Sequence, residues 1–265
     1  MIRFSRLLLI FLLIWAGAPA PVNDSAYESV RDILAQKGVP ETFVAAAFAS
    51  SRIAVEEGVV RRFKKPYEKK PYATYRTLFL TPPRIERGQK FYQHNQKLFQ
   101  AVADSFGVDP VLLLSIVGIE SNFGEHHEDF SVFNALYTII HRIPGKADWA
   151  RNQLVEFLSF CYRDHIDPHT VFGSYAGAFG YGQFIPSSFN GYAVDFDGDG
   201  RVEPFGWEDT IGSVANYLRK NGYRPGETRF HRKSSAGKAV WAYNHSENYV
   251  RAVLEFREEL LKRLD

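Results

Sequence analysis

The segment Asp109–Ile119, DPVLLLSIVGI, constrains the fold more than any other part of the chain. Asp109 can cap the first free amides of a helix, and Pro110 brings a pre-set φ to its first position. Val111 to Ile119 are apolar almost all round. A surface helix shows an apolar stripe and a polar face, so this pattern predicts a helix enclosed by other helices. A chain of 265 residues with 45% hydrophobic content can build the core that such a helix needs. Glu120 ends the apolar run. At helical spacing it shares a face with Leu113, Ile116 and Val117, so its carboxyl emerges from the core at the helix C-terminal end. Desolvation and the negative end of the helix dipole both disfavour the charged form there. This predicts a raised pKa and a proton available near neutral pH, as a general acid requires. The plainer alternative is that Glu120 is only the first exposed residue after a buried helix, with Gly124 as its stop signal.

Helical spacing recurs near 25–37, 40–57, 84–106, 131–141, 147–164, 208–221 and 246–264, while strand signals are few and short. The fold class read from this is mainly α. Arg3 and Arg6 precede the apolar run Leu7–Trp15, followed by Gly17, Ala18 and Ala20, so residues 1–20 read as an export signal too short for a membrane span. Pro21 makes a poor first mature residue, which leaves an uncleaved N-terminal tether as the alternative to cleavage. Cys161 is the sole cysteine and lies far from the signal, so neither a lipid-modified N-terminus nor an internal disulfide is expected, and Cys161 reads as a core residue. The basic, proline-containing run 61–72, RRFKKPYEKKPY, is expected to close an N-terminal helical extension (21–72) before a larger domain (73–265). A solvated linker is preferred there to a wall-binding patch. The net charge of +2 gives no sign of a nucleic-acid partner, and the eight histidines show no metal-ligand spacing.

Two loops carry further chemistry. Gly173–Phe184, GSYAGAFGYGQF, alternates glycine with aromatic residues, which frees the backbone to approach a ligand and offers rings suited to sugar faces. Asp195, Asp197 and Asp199 occupy positions one, three and five of an EF-hand-like calcium loop, with Gly200 at six. Position twelve is Gly206 and not the closing acid, so the second half of that loop departs from the pattern. Three clustered aspartates repel one another unless a cation neutralises them, which predicts bound Ca²⁺. A hard cation on oxygen ligands without His points to a structural role.

Taken together, Gly118–Gly124 (GIESNFG), GSYAGAFGYGQFIPSSF at 173–189 and the acidic loop, in that order, resemble the lytic murein transglycosylase B family. The resemblance covers roughly residues 25–265 and is strongest over 107–224. It implies a lysozyme-like α domain acting on peptidoglycan glycan strands, hence a periplasmic location, with no organic cofactor and a monomeric enzyme. The implied reaction cleaves the β-1,4 bond from N-acetylmuramic acid (MurNAc) to N-acetylglucosamine (GlcNAc) without water. The muramyl 6-hydroxyl attacks its own anomeric carbon and leaves a 1,6-anhydro end, with Glu120 as the sole acid and then base. An internal nucleophile removes the need for a second carboxylate, and none is evident in the binding loop. The acidic EHHED turn at 125–129 reads as solvated.

The resemblance assigns sugar contacts to Ser174, Gln183, Phe184, Tyr217, Tyr243, Asn244 and Tyr249, although Tyr217 and Tyr249 read equally well as core aromatics on helices. It closes the calcium loop, 195–209, with Asp209, Glu208 being a substitute, and adds the backbone carbonyl of Arg201. Where the family commonly has Pro-Arg-Arg, this chain has Pro144-Gly145-Lys146, so Lys146 is the remaining cation for a substrate carboxylate. The short Tyr223–Trp241 connection implies a more open cleft than members with an insertion there. Two rival readings are a hydrolytic muramidase with Asp148 or Asp164 as second carboxylate, and an inactive peptidoglycan-binding protein. Retention of Glu120 argues against the second.

Overall fold

A computed structural model describes residues 24–64, 70–125 and 129–264. The export signal at 1–20, part of the basic run and part of the EHHED turn lie outside the described residues. Among the described residues there are thirteen α-helices, in agreement with a mainly α fold. Helix α7 (Pro110–Ser121) runs through the centre, enclosed by α5 (Pro82–His94), α6 (Gln96–Phe106), α11 (Trp207–Lys220) and α13 (Glu247–Leu264). Leu112, Leu113, Leu114, Ile116 and Val117 are fully buried, as the all-round apolar pattern requires. Asp109 accepts the Leu112 amide at 2.6 Å, so the expected cap forms. The same carboxylate receives two bonds from Arg257 of α13, at 2.8 and 2.9 Å, fixing α7 against its main partner. Gly118 is a close-packing position: a Cβ there would lie 2.5 Å from Phe123 and 2.7 Å from Phe256. Any side chain at 118 would therefore push α13 away from the helix that carries Glu120.

The N-terminal segment is built directly onto this body. Helices α1 (Ser25–Gln36) and α2 (Glu41–Phe48) pack on α8 (Val132–Arg142) and α9 (Ala147–Arg163), and Leu34, Val44 and Phe48 join the same continuous apolar cluster as α7 and α13. The expected helix at 40–57 ends at Phe48. The chain then turns through Ser50, whose hydroxyl accepts the Arg52 amide at 3.2 Å, and restarts as α3 (Glu57–Lys64). Part of the supposed linker is therefore helical, with Arg61 and Arg62 in the last turn of α3, and α4 (Tyr72–Arg76) follows on its far side. Tyr72 and Arg76 both bond Glu255 of α13. The single helix expected at 84–106 is two, broken at Asn95. Its side-chain amide bonds the Phe91 carbonyl at 2.9 Å and competes with the helical ladder.

Two short helices carried no clear periodic signal: α10 (Pro186–Tyr192) and α12 (Ser235–Tyr243). The latter starts on a Ser234 cap that receives the Gly237 amide at 3.1 Å. The only strands among the described residues, β1 (Phe130–Ser131) and β2 (Phe172–Gly173), pair antiparallel with Phe130 opposite Gly173. They tie the start of α8 to the start of the glycine-aromatic loop. Cys161 is fully buried on α9, as expected of a core residue. No single helix among the described residues is long and apolar enough to cross a membrane.

Candidate active site

Glu120 sits in the last turn of α7 and lines a cleft of about 630 Å³. The chain leaves the helix sharply: Asn122 (φ 51°) and Phe123 (φ 59°) are both left-handed. The turn is therefore made by Asn122, ahead of the expected stop at Gly124. Two non-glycine residues in this region cost about 1 kcal/mol or more each. Phe123 offsets part of that cost by burying its ring against Phe91 and Phe256. The turn carries the backbone away and leaves the Glu120 carboxyl facing the cleft.

Burial pushes the Glu120 pKa from 4.5 up to about 7, while a hydrogen bond from Tyr249 pulls it down. Tyr249, on α13, donates its hydroxyl to Glu120 Oε1. Burial and the nearby Glu120 charge hold the Tyr249 phenol itself well above 10, so it remains a donor. With only 2% of its surface exposed, Tyr249 does not reach the cleft as the implied sugar contact would. It orients and tunes the carboxyl group. Removing the bond in Tyr249→Phe destabilises the carboxylate and leaves the acid unaffected, so the Glu120 pKa rises. A bond to a charged acceptor is worth enough to move it by about one unit. The alkaline limb of kcat/KM is expected to move upward by that amount; a limb that stays in place while only the melting temperature changes would contradict this role.

The glycine-aromatic loop forms much of the opposite wall. Ser174 Oγ accepts the amides of Ala176 and Ala178, both at 3.2 Å, and holds the loop in a tight turn within the cleft lining. Gln183 lines the cleft and also an adjoining hollow of about 270 Å³. Phe184, Tyr217 and Tyr243 lie around that second hollow. The hydroxyls of Tyr217 and Tyr243 are directed into the protein, onto the carbonyls of Ala242 (2.7 Å) and Gly182. Asn244 ends α12 beside them. Lys146 is elsewhere, with its ammonium 5.6 Å from the centre of the Trp149 ring, and is not among the residues lining the cleft.

Other residues do line it. Phe172 and Phe205 are 48% and 45% exposed, and Tyr181 stacks on Trp207 with ring centroids 4.2 Å apart. Arg62 and Asp129 complete the rim, 3.5 Å from each other. The exposure of Arg62 and Asp129 agrees with the solvated reading of their segments, but their place at the cleft had no local signal in the sequence; only the packing of α3 brings Arg62 there. Asp148 and Asp164 do not line it and pair with Arg151 and Arg163.

The acidic loop is attached to the binding loop. The Tyr181 amide bonds the Pro204 carbonyl at 2.9 Å, and Gly180 approaches so closely that a Cβ would lie 2.5 Å from that oxygen. Asp195, Asp197 and Asp209 bring carboxylate oxygens within 4.8 Å of one another. That spacing suits three oxygens around one hard cation with bonds of about 2.3–2.6 Å. Asp199 stands outside this trio and accepts the Arg201 amide at 2.8 Å. Asp209 is 4% exposed and accepts the amides of Phe196 and Glu203, both at 2.7 Å, on its two oxygens. The Asp199 amide lowers the Asp197 pKa, but desolvation and the charges of Asp199 and Asp209 outweigh it, leaving Asp197 above the ordinary value.

A family model described as the transglycosylase SLT domain matches residues 23–238, four-fifths of the chain, with Glu120, the glycine-aromatic loop and the acidic loop inside the match and α13 with Tyr249 beyond it. The chain belongs to that family. A curated relative, the membrane-bound lytic murein transglycosylase B of Escherichia coli K12, is 36% identical over 153 residues, 58% of this chain and 42% of that protein. The soluble lytic transglycosylase SltB1 of Pseudomonas aeruginosa superposes with a TM-score of 0.81 at 27% identity, over 91% of this chain and 99% of that one. The Escherichia coli lytic transglycosylase Slt35, solved in complex with calcium, superposes with a TM-score of 0.80 at 23% identity, over 91% of this chain and 94% of its own. The lysozyme-like fold implied by the motif resemblance is thus the fold of this SLT-domain protein.

Proposed function

We propose that this SLT-domain protein is a peptidoglycan lytic transglycosylase that cleaves the MurNAc-β-1,4-GlcNAc bond and leaves a 1,6-anhydroMurNAc end. The observation that carries the reading is a carboxyl group with a pKa near 7, set in a sugar-sized cleft between exposed aromatic rings. At neutral pH Glu120 is divided between its two forms, and the reaction uses both. As the acid it gives its proton to the glycosidic oxygen while the bond to the anomeric carbon breaks. As the carboxylate it takes the proton of the muramyl 6-hydroxyl while that oxygen closes on the same carbon. The substrate N-acetyl oxygen assists at the anomeric carbon between the two steps. Phe172 and Phe205 offer faces for sugar rings, and Ser174 and Gln183 offer hydrogen-bonding groups to hydroxyl and acetamido substituents. A substrate in the wall is consistent with the export signal read at the N-terminus and with a periplasmic location.

One observation favours a second reading. Asp129 also lines the cleft, and a second carboxylate is what hydrolysis requires. It sits at the rim, 65% exposed and paired with Arg62, so the internal nucleophile is preferred. Mass spectrometry of soluble fragments released from purified sacculi decides between them. Muropeptides lighter by one water than reducing-end products are expected; reducing ends alone would establish the hydrolytic reading.

The acidic loop is proposed to hold a structural Ca²⁺ through Asp195, Asp197 and Asp209, with Asp199 and the Arg201 carbonyl completing the shell. The calcium complex of Slt35 supports this, as does the mutual proximity of three carboxylates in the loop that bonds the sugar-binding segment. The ion neutralises the loop, and no proton transfer passes through it.

A further inference from the structure

Beside the catalytic cleft lies a hollow of about 460 Å³ lined by Glu56, Gly58, Arg61, Arg62, Asp129 and Phe130. It shares Arg62, Asp129 and Phe130 with the cleft, so a ligand can run from one into the other across the Phe130 ring. Its character differs from that of the cleft: four of its six lining residues are charged, two of each sign. We propose that this hollow binds the peptide stem of the substrate, Arg61 and Arg62 taking its carboxylates and Glu56 and Asp129 its amine. This rests on the peptidoglycan reading of the cleft.

Charge decides the occupant. An N-acetylated glycan is neutral, and its sugars need hydroxyl, amide and aromatic partners, which the cleft and the Gln183 hollow supply. The charges of a peptidoglycan strand sit on the peptides, which carry free carboxylates and, at a diamino residue, an amine. A hollow with cations and anions side by side fits such a zwitterionic chain. The groups are also available. Arg61 and Glu56 have no charged partner among the described residues. Arg62 and Asp129 are 3.5 Å apart and 55% and 65% exposed, a pair worth little to the free protein and readily exchanged for ligand contacts.

The hollow is held rigidly against the cleft. The Glu56 amide bonds Thr138 Oγ1 at 2.8 Å, Glu57 pairs with Arg142 at 2.7 Å, and Phe63 meets Tyr175 of the binding loop edge-on at 5.0 Å. Gly58 lies so close to Phe130 that a Cβ would be 2.7 Å from the ring. Arg61 and Arg62 are thus presented from a helix fixed to the cleft wall, while Lys146 is engaged on Trp149.

The test uses the full-length protein carrying Glu120→Gln, so that bound ligand persists. Calorimetry compares GlcNAc-MurNAc bearing a pentapeptide with the same disaccharide lacking it. The peptide-bearing ligand is expected to bind about tenfold tighter or more. Adding Arg61→Ala and Arg62→Ala should bring that ratio close to one. Blocking the peptide carboxylates as amides should do the same with both arginines intact, which needs no further variant to fold. A ratio near one at the outset, or a preference that survives both the arginine substitutions and the amidation, overturns the proposal. Failure of the underlying reading is seen separately, as sacculi that yield no anhydro product with the unsubstituted enzyme. Product release with no peptide preference sinks the stem site alone.

Discussion

Glu120→Gln is expected to lower release of soluble fragments from sacculi by at least about 10²–10⁴-fold, the scale of general acid-base catalysis, while leaving fragment binding measurable. The glutamine keeps the size of the side chain and can still accept the Tyr249 hydroxyl, so the geometry survives and only the proton is lost. The same variant has a stability signature with a definite sign. The folded pKa of Glu120 is raised, to about 7 from 4.5. A raised folded pKa contributes stability that is fully present below the unfolded value and is lost as the pH rises through the folded one. Between pH 4.5 and 7 the folded wild type therefore gives up stability that the glutamine variant never loses. The amount is up to about 3 kcal/mol, reduced because the carboxyl faces an open, solvated cleft. Thermal melts at pH 5 and pH 8 should show the variant gaining on wild type at the higher pH. Equal melting differences at the two pH values would mean that Glu120 ionises like a surface residue and is no proton store.

The parts of this arrangement that were legible in the sequence are those written locally. Asp109-Pro110 and the apolar run announced both the start of α7 and its enclosure, and Glu120 at its end followed from helical spacing alone. The tight turns of the glycine-aromatic loop and the proximity of Asp195 to Asp197 were legible because glycine and aspartate at such offsets have few other uses, whereas Asp199 stands outside the carboxylate trio that Asp209 completes. What was not legible depends on residues far apart in the chain. Tyr249 lies 129 residues from Glu120 and sits on a helix whose periodicity equally suits a core aromatic. Its pairing with the carboxyl is a consequence of α13 packing on α7. Arg62 reads as part of a charged linker until the bonds from Glu56 and Glu57 to α8 are seen to fix α3 beside the cleft. Asn95 breaks a helix through a side-chain bond that periodicity does not register. Lys146 shows the converse: motif position pointed to the substrate, and its ammonium lies 5.6 Å from the Trp149 ring centre, apart from the residues lining the cleft.

Asp209 and Asp197 should separate when each is replaced, because one does two jobs and the other does one. Asp209 is nearly inaccessible and joins the two ends of the acidic loop through the Phe196 and Glu203 amides. Asp209→Ala leaves two amides without their acceptor. At about 1–3 kcal/mol for each unsatisfied group, moderated if water enters, a loss of several kcal/mol is expected even without metal. Asp209→Asn keeps one acceptor oxygen and should lose roughly half as much. Asp197 is exposed and accepts a single amide, that of Asp199 at 3.1 Å, so Asp197→Ala should leave the metal-free melting temperature nearly unchanged. Added Ca²⁺ then divides the cases: it should raise the melting temperature of the wild type and fail to do so in either alanine variant. A calcium response that survives Asp197→Ala would remove the ion from the loop and leave Asp209 a purely structural clasp. A metal-free melting temperature unmoved by Asp209→Ala would show that the clasp contributes nothing without the ion. The separation matters for the candidate active site, since the acidic loop reaches the glycine-aromatic loop through the bond from the Tyr181 amide to the Pro204 carbonyl. If the ion stiffens that connection, Asp197→Ala should weaken sugar binding in calcium-containing buffer while leaving the alkaline limb set by Glu120 where it is.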